Sequence, residues 1–338
     1  MKKYIFQPFY HHRFMYSRFL LLILITLFSL TFTITSTCGW GFYAHQQINR
    51  LAIFTLPPEM IMFYKVNIDY ITTNAVAPDK RRYTSKDEAC RHYIDLNIYH
   101  DSLRNKMPMF WHQAKALFSE DTLKKHGIVP WHVYLMKVRL TEAFKQKDKA
   151  AILKLSADLG HYIADAHVPL HTTNNYNGQF TAQHGIHGLW ESRIPELYAQ
   201  QYDAWVGAAQ YLNVPQKDIW ETVYASHACL KEVFALEKEA SEELPEDRKY
   251  SFEERNGQSV RVYSKEFTKR YNEKLHGQVE SRFLASIKLL GSMWYTCWVD
   301  AGQPDLNSLD AQKMVSKIEE ITKQDTASVH DCNQNFHE

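Results

Sequence analysis

The stretch LGHYIADAHVPLHTTNNYNGQFTAQHGIHGLWESRIPE, residues 159 to 196, holds the densest set of side chains able to do chemistry. His161 and Asp165 are four apart, so on one helix they project from the same face, one turn above the other. Two ligands on one rigid element are what a metal site needs. Pro169 breaks that helix, and His171 follows on the exit turn, able to point back toward the same cavity. His187 and Glu191 then repeat the spacing on the next helical segment. One such pair is commonly only a surface hydrogen bond; two pairs with an intervening His after a Pro point to metal ligation. Imidazole and carboxylate without thiolate favour zinc, with manganese and iron compatible by ligand type. Upstream lie Asp79 in VAPDKRRY and His92 in CRHYIDLNIY. Their spacing alone says nothing: Asp79 reads as a turn residue after Pro78, and His92 as a half-buried residue beside Tyr93.

Helices must position these groups, and the hydrophobic spacing supplies them. Residues 44 to 61 have helical spacing interrupted at Pro57 and Pro58, which end one helix or start another. Residues 131 to 147 follow Pro130 and set Val133, Leu135, Met136, Leu140 and Phe144 at helical spacing. Residues 148 to 167 form a second amphipathic run, with Asp148 as N-cap and Pro169 as a stop. A third helix is expected around 187 to 204, and a long aromatic-rich one from about Ser264 to Val299. Between Ala240 and Tyr263 lies a highly charged segment whose Asn-Gly can turn a small hairpin; it reads as an insertion or surface excursion. There is no internal repeat, no glycine-rich phosphate loop and no series of alternating strands. The expected fold class is therefore all-α, an irregular multi-helix single domain.

The N-terminus bears on compartment. Lys2, Lys3, Arg13 and Arg18 precede the apolar run FLLLILITLFSLTFTI, which begins at Phe19 and is followed by TSTCG. These are the parts of a secretory signal peptide, residues 1 to 39, with cleavage after Gly39 and Trp40 as the first mature residue. An uncleaved anchor is the alternative, since the run is near the lower limit for spanning a bilayer. A lipoprotein at Cys38 would need an apolar residue among Thr35, Ser36 and Thr37, and there is none. The expected location is thus periplasmic or extracellular. The 39 Lys and Arg against 38 Asp and Glu give +1, so no charge footprint announces nucleic acid or an acidic membrane, and no protein partner is evident. Beyond Cys38, the cysteines Cys90, Cys229, Cys297 and Cys332 form no CxxC; in an exported chain they permit up to two disulfides. Residues 323 to 338 read as a flexible polar tail, leaving 40 to 322 as the working domain.

The ordered set W-x4-H, D-x2-R, H-Y-I-D, H-x3-D-x5-H and H-x3-E, from Trp40 to Glu191, resembles the superfamily of zinc-dependent phospholipases C and fungal single-strand nucleases of the P-one type. The resemblance implies three zinc ions in a cleft of an all-helical domain. Carried over residue by residue, Asp79, His92, His161 and Asp165 match the ligands of the first zinc, and His171, His187 and Glu191 those of the second. The third would be held by His45, a shared Asp165, and Trp40 through its free amino group and carbonyl oxygen, so signal cleavage would create a ligand. Arg82 matches the arginine that steadies phosphate charge; otherwise it is one cation in the cluster Lys80, Arg81, Arg82. His167 reads as a residue behind the ligands or facing solvent, and His184 as a bystander. His100, His112, His126 and His132 match no ligand position.

What the resemblance implies is zinc-assisted hydrolysis of a phosphodiester, in which zinc lowers the pKa of water toward about 7 and Asp79 orients the resulting hydroxide. The branch is mixed. The four residues between Trp40 and His45 resemble the nucleases; Glu191 in place of Asp, the 16-residue step from His171 to His187, and HTTNNYNG resemble the phospholipases. The balance leans to a phospholipase-C-like activity, with a single-strand nuclease or 3'-nucleotidase as the alternative and a non-catalytic secreted zinc-binding protein as a second. Tyr83, Phe110, Trp111, Trp131 and Tyr176 could stack on a base or touch acyl chains, but aromatics in a helical protein are more often core.

Overall fold

A single helix runs through the middle of the molecule and carries the two central candidate ligands. The structure is a computed structural model, described for residues 41–104, 106–255, 257–306 and 309, all within the compact unit Cys38–Glu338. Its helices, in chain order, include α1 (Phe42–Ala52), α2 (Pro58–Val66), α3 (Ile68–Asn74), α4 (Ala77–Arg81), α5 (Val129–Lys145), α6 (Lys149–Ala166), α7 (Pro215–Glu243), α8 (Lys265–Lys274) and α9 (Gln278–Asp300). The one sheet among the described residues is the antiparallel pair β1 (Tyr250–Arg255) and β2 (Gln258–Tyr263). The fold is mostly helical. No helix among the described residues is long and apolar enough to cross a membrane.

The local sequence explains most of the boundaries. Pro58 sits at the first position of α2, where a missing N–H costs nothing, and so separates α2 from α1. The Asp148 side chain accepts from the Ala151 N–H at 3.3 Å and starts α6. In α6 every residue from Ala150 to Ala166 is buried, as expected of a helix surrounded on all sides. Helices α1, α3, α5 and α9 pack against it. Asn49 ties three of these together by donating to the Ala157 carbonyl at 3.0 Å and the Ile71 carbonyl at 3.4 Å. The exposed C-terminal carbonyls of α6 meet donors from elsewhere: Ser226 Oγ donates to Ala166 O at 2.7 Å, and Arg282 Nε donates to His167 O at 3.1 Å.

Three expectations change. The run from Ser264 to Val299 is two helices, because Gly277 adopts a left-handed φ of 79° that ends one and begins the next. The helix expected over 187 to 204 runs without interruption over 186–201 but changes type along its length: Ile186–Gly188, a π-helical turn Leu189–Arg193, Ile194–Tyr198 and a 3₁₀ turn Ala199–Gln201. The 29-residue α7 stands between these and the hairpin, although no amphipathic run was read there. Cys90, Cys229 and Cys297 are free thiols, so none of the permitted disulfides joins them to one another. The signal segment, Cys38, Trp40, Cys332 and the tail from 323 lie outside the described residues.

Candidate metal centre

His161 and Asp165 lie on consecutive turns of α6 and are both fully buried. His45 comes from α1, Asp79 from α4, and His92 from the turn after Ala89–Arg91. His171 lies in the 3₁₀ turn that Pro169 opens after α6, and its carbonyl accepts the Ile94 N–H at 2.9 Å, drawing the His92 segment alongside. His187 and Glu191 come from adjoining segments of the irregular helical series, Ile186–Gly188 and the π-helical turn Leu189–Arg193. The structure thus brings together every expected ligand position among the described residues. They fall into three groups, His45/Asp79/His161 and His92/His161/Asp165, which share His161, and the separate His171/His187/Glu191, each with ligand atoms within 4.8 Å of one another.

Asp165 is the hub. Its Oδ2 faces His92 Nδ1 at 2.9 Å and His161 Nε2 at 3.3 Å. Its Oδ1 faces His45 Nε2 at 3.4 Å and His171 Nε2 at 3.9 Å. One carboxylate therefore presents each oxygen to a different set of imidazoles, as a bridging ligand must. Around Oδ2, Asp79 Oδ1 lies 3.8 Å from His92 Nδ1 and 3.7 Å from His161 Nε2, and the two imidazole nitrogens are 3.0 Å apart. Ligands at about 2.1 Å in a tetrahedron are separated by roughly 3.4 Å. The three separations among Asp165 Oδ2, His92 Nδ1 and His161 Nε2, at 2.9, 3.0 and 3.3 Å, lie a little below that value, so these three atoms suit one small cation, with Asp79 Oδ1 beside both imidazoles. In the other group, Glu191 Oε2 lies 2.8 Å from His187 Nε2 and 3.4 Å from His171 Nε2.

The donor set fits a cation on a second ground. His45 Nδ1 and Nε2, both Asp79 oxygens, Asp165 Oδ1, His171 Nε2, His187 Nδ1 and Nε2, and both Glu191 oxygens are buried without a hydrogen-bond partner. Buried polar atoms are otherwise paired, because leaving one unsatisfied costs about 1–3 kcal/mol. Clustering so many in one cavity calls for a ligand. In two of the histidines the far ring nitrogen is satisfied by a backbone carbonyl: His161 Nδ1 donates to Ala75 O at 2.9 Å and His171 Nδ1 to His92 O at 2.5 Å. Each bond leaves the Nε2 lone pair aimed inward, the arrangement that orients metal-binding imidazoles.

Electrostatics show the same imbalance. Burial works against ionised Asp165, but His161 and His171 outweigh it and hold its carboxyl well below the usual carboxylate range. Burial likewise opposes charge on His161, and Asp165 and Asp79 overcome it to raise that imidazole to about 9. At Glu191 burial outweighs the help of His171, and pushes the carboxyl up to about 8. Burial lowers His187 to about 4. A divalent cation beside Glu191 would restore its charged form and use the neutral His187 as a ligand.

Several supporting residues carry no ligand motif. Glu88 Oε1 lies 3.6 Å from His92 Nε2, on the side of the ring away from Asp165. Glu88 is held by Arg91 Nη1 at 2.9 Å, by Arg81 Nε at 3.4 Å and by the Tyr162 hydroxyl. Arg81 also pairs with Asp158 at 3.1 Å, and Asp158 with Lys154 at 2.9 Å, one and two turns before His161 on α6. The hint in the sequence was the continuation of four-residue spacing backward from Tyr162 through Asp158 to Lys154. Arg82 lies 3.8 Å from Asp79 and is partly exposed, at the rim of the cluster. Tyr176 stands over His187, ring centroids 5.9 Å apart, while Trp111 and Trp131 are core. His167 is buried rather than facing solvent, and His184, His100 and His112 are exposed. No protein-family model matches the chain, and no curated protein matches it.

Proposed function

We propose that the chain is a zinc-dependent phosphodiester hydrolase of the phospholipase C and nuclease type, with a phospholipid diester as the leading substrate class. The observation that carries this reading is the convergence of His45, Asp79, His92, His161, Asp165, His171, His187 and Glu191 into neighbouring clusters of potential ligand atoms, many of them buried without a hydrogen-bond partner. Asp79, His92, His161 and Asp165 would hold one zinc, and His171, His187 and Glu191 a second. His45 and Asp165 would hold a third together with Trp40, which lies outside the described residues. Bound zinc supplies Lewis acidity, neutralising phosphate charge and making water acidic enough to attack at neutral pH. Asp79 presents Oδ1 to His92, His161 and Arg82, which leaves its Oδ2 to accept the proton of the attacking water. Arg82, at the rim, faces the charge that builds on the diester oxygens.

Glu191 and the short step from His171 to His187 support the phospholipase branch; the four-residue gap between Trp40 and His45 favours a single-strand nuclease as second reading. The test is to purify the mature chain, count zinc, and assay phosphatidylcholine and single-stranded nucleic acid in parallel. Cleavage of phosphatidylcholine is expected. Cleavage of nucleic acid alone moves the assignment to the second branch, and a zinc-loaded protein that cleaves neither overturns hydrolysis in favour of a zinc-binding protein.

A further inference from the structure

The second half of the charged segment between Ala240 and Tyr263 folds as the hairpin β1–β2, in which Tyr250 pairs with Tyr263 and Arg255 with Gln258. Its contacts are directed at the element that carries His187 and Glu191. Arg193, two residues after Glu191, donates from Nη1 to Glu253 Oε2 at 3.0 Å, from Nη2 to Glu253 Oε1, and from Nε to the Tyr263 carbonyl at 3.1 Å. All three donor positions of this guanidinium are thus spent on the hairpin, in a fork that fixes orientation as well as distance. Arg255 makes a second bidentate pair with Glu196 at 2.8 and 3.2 Å. On the other side of the ligands, the buried Tyr263 hydroxyl donates to the His184 carbonyl at 3.1 Å, three residues before His187. Gly185, with φ of 94°, lies against that hydroxyl, where an added Cβ would sit 3.2 Å away. The element so gripped is a π-helical turn, Leu189–Arg193, set directly between two short α-helical pieces, Ile186–Gly188 and Ile194–Tyr198, rather than a run of regular helix.

We infer that the hairpin is a clamp that positions His187 and Glu191 as a ligand pair, with Glu253 and Tyr263 as its positioning residues; this rests on the metal reading given above. Outer-shell partners of metal ligands are typically worth about 10- to 100-fold in metal affinity. The test uses the full mature chain and the variants Tyr263→Phe and Glu253→Gln, with Phe252→Ser, on the exposed side of β1, as a control for hairpin integrity. Two quantities are read: amide hydrogen exchange without added metal, and zinc affinity and stoichiometry by titration. The expected result is faster exchange confined to residues 185 to 193 and about 10- to 100-fold weaker binding of one zinc class, the other unchanged, with the control like wild type. Unchanged exchange across 185 to 193 in both variants overturns the clamp and leaves the metal reading standing. Equal weakening of every zinc, or a control that behaves like Tyr263→Phe, shows general destabilisation and overturns it too. Wild-type protein that binds no zinc overturns the metal reading and with it the role assigned to the hairpin.

Discussion

Asp165 concentrates the chemistry of the site in one side chain, because its two oxygens face different imidazoles. Replacing it with Asn keeps the shape and removes the charge from both sets at once. Asp165→Asn should therefore lose more than one zinc equivalent, and weaken binding by more than the roughly 10- to 100-fold expected of a residue behind the ligands. Metal counting after exhaustive dialysis checks this, and loss of a single equivalent would remove the bridging role. Arg82 makes the opposite case: it touches Asp79 only at 3.8 Å and satisfies no ring nitrogen. Arg82→Ala should retain full zinc content while kcat/KM falls by about 100-fold, the scale of losing one donor to transition-state charge. A drop in zinc content would make it part of metal binding instead. Of the candidate ligand positions, His161 with Asp165 and His187 with Glu191 were legible because i, i+4 spacing has a geometric meaning on a helix, whereas His45, Asp79 and His92 were reached only through the family resemblance. Glu88 and Glu253 were not legible, since an ordinary glutamate acquires its role only from the chain folded against it.

At the scale of elements, α6 was readable almost to the residue, because a cap, an apolar period and a proline stop all agree there. The series after His187 was not: the sequence pattern admits a regular helix, and the contacts of Arg193 and Tyr263 with the hairpin decide otherwise. Gly277 likewise splits what periodicity alone reads as one helix into α8 and α9. Close approach between elements is equally invisible before folding. At Gly160, one residue before His161, an added Cβ would lie 2.0 Å from Asn49 Oδ1 and 2.8 Å from Leu290 Cδ2. Asn49 cannot swing aside without giving up its bonds to Ala157 and Ile71. Gly160→Ala should therefore push α1 from α6, costing about 1–3 kcal/mol of stability by overpacking. It should also separate His45 from His161, whose rings now stack 3.9 Å apart. Chemical denaturation together with zinc titration tests both effects; an unchanged midpoint would mean that the contact relaxes freely.

For the whole molecule, the concentration of buried histidine sets the response to acid. His132 and His167 are nearly inaccessible. Burial, with Arg91 beside the first and Arg282 beside the second, holds both well below the ordinary imidazole value. Burial lowers His45 and His187 in the same sense, while His161 is raised. For a histidine whose folded pKa is depressed, the unfolded chain takes up the proton first. The stability that group contributes is complete above about pH 6.5 and declines by about 1.4 kcal/mol per pH unit as pH falls below it. His161 has the opposite sign, its contribution present below pH 6.5 and lost as pH rises through about 9. The net slope thus mixes several residues, and one substitution isolates a single share. His132 touches no candidate ligand group directly; it meets the Tyr162 ring at 4.5 Å between centroids. His132→Gln, compared with wild type by urea denaturation between pH 6.5 and 5 without added metal, should show a slope shallower by about 1.4 kcal/mol per pH unit. Parallel slopes would mean that His132 carries its proton in the folded protein, and the acid sensitivity would then have to come from His167 and the candidate ligand histidines His45 and His187.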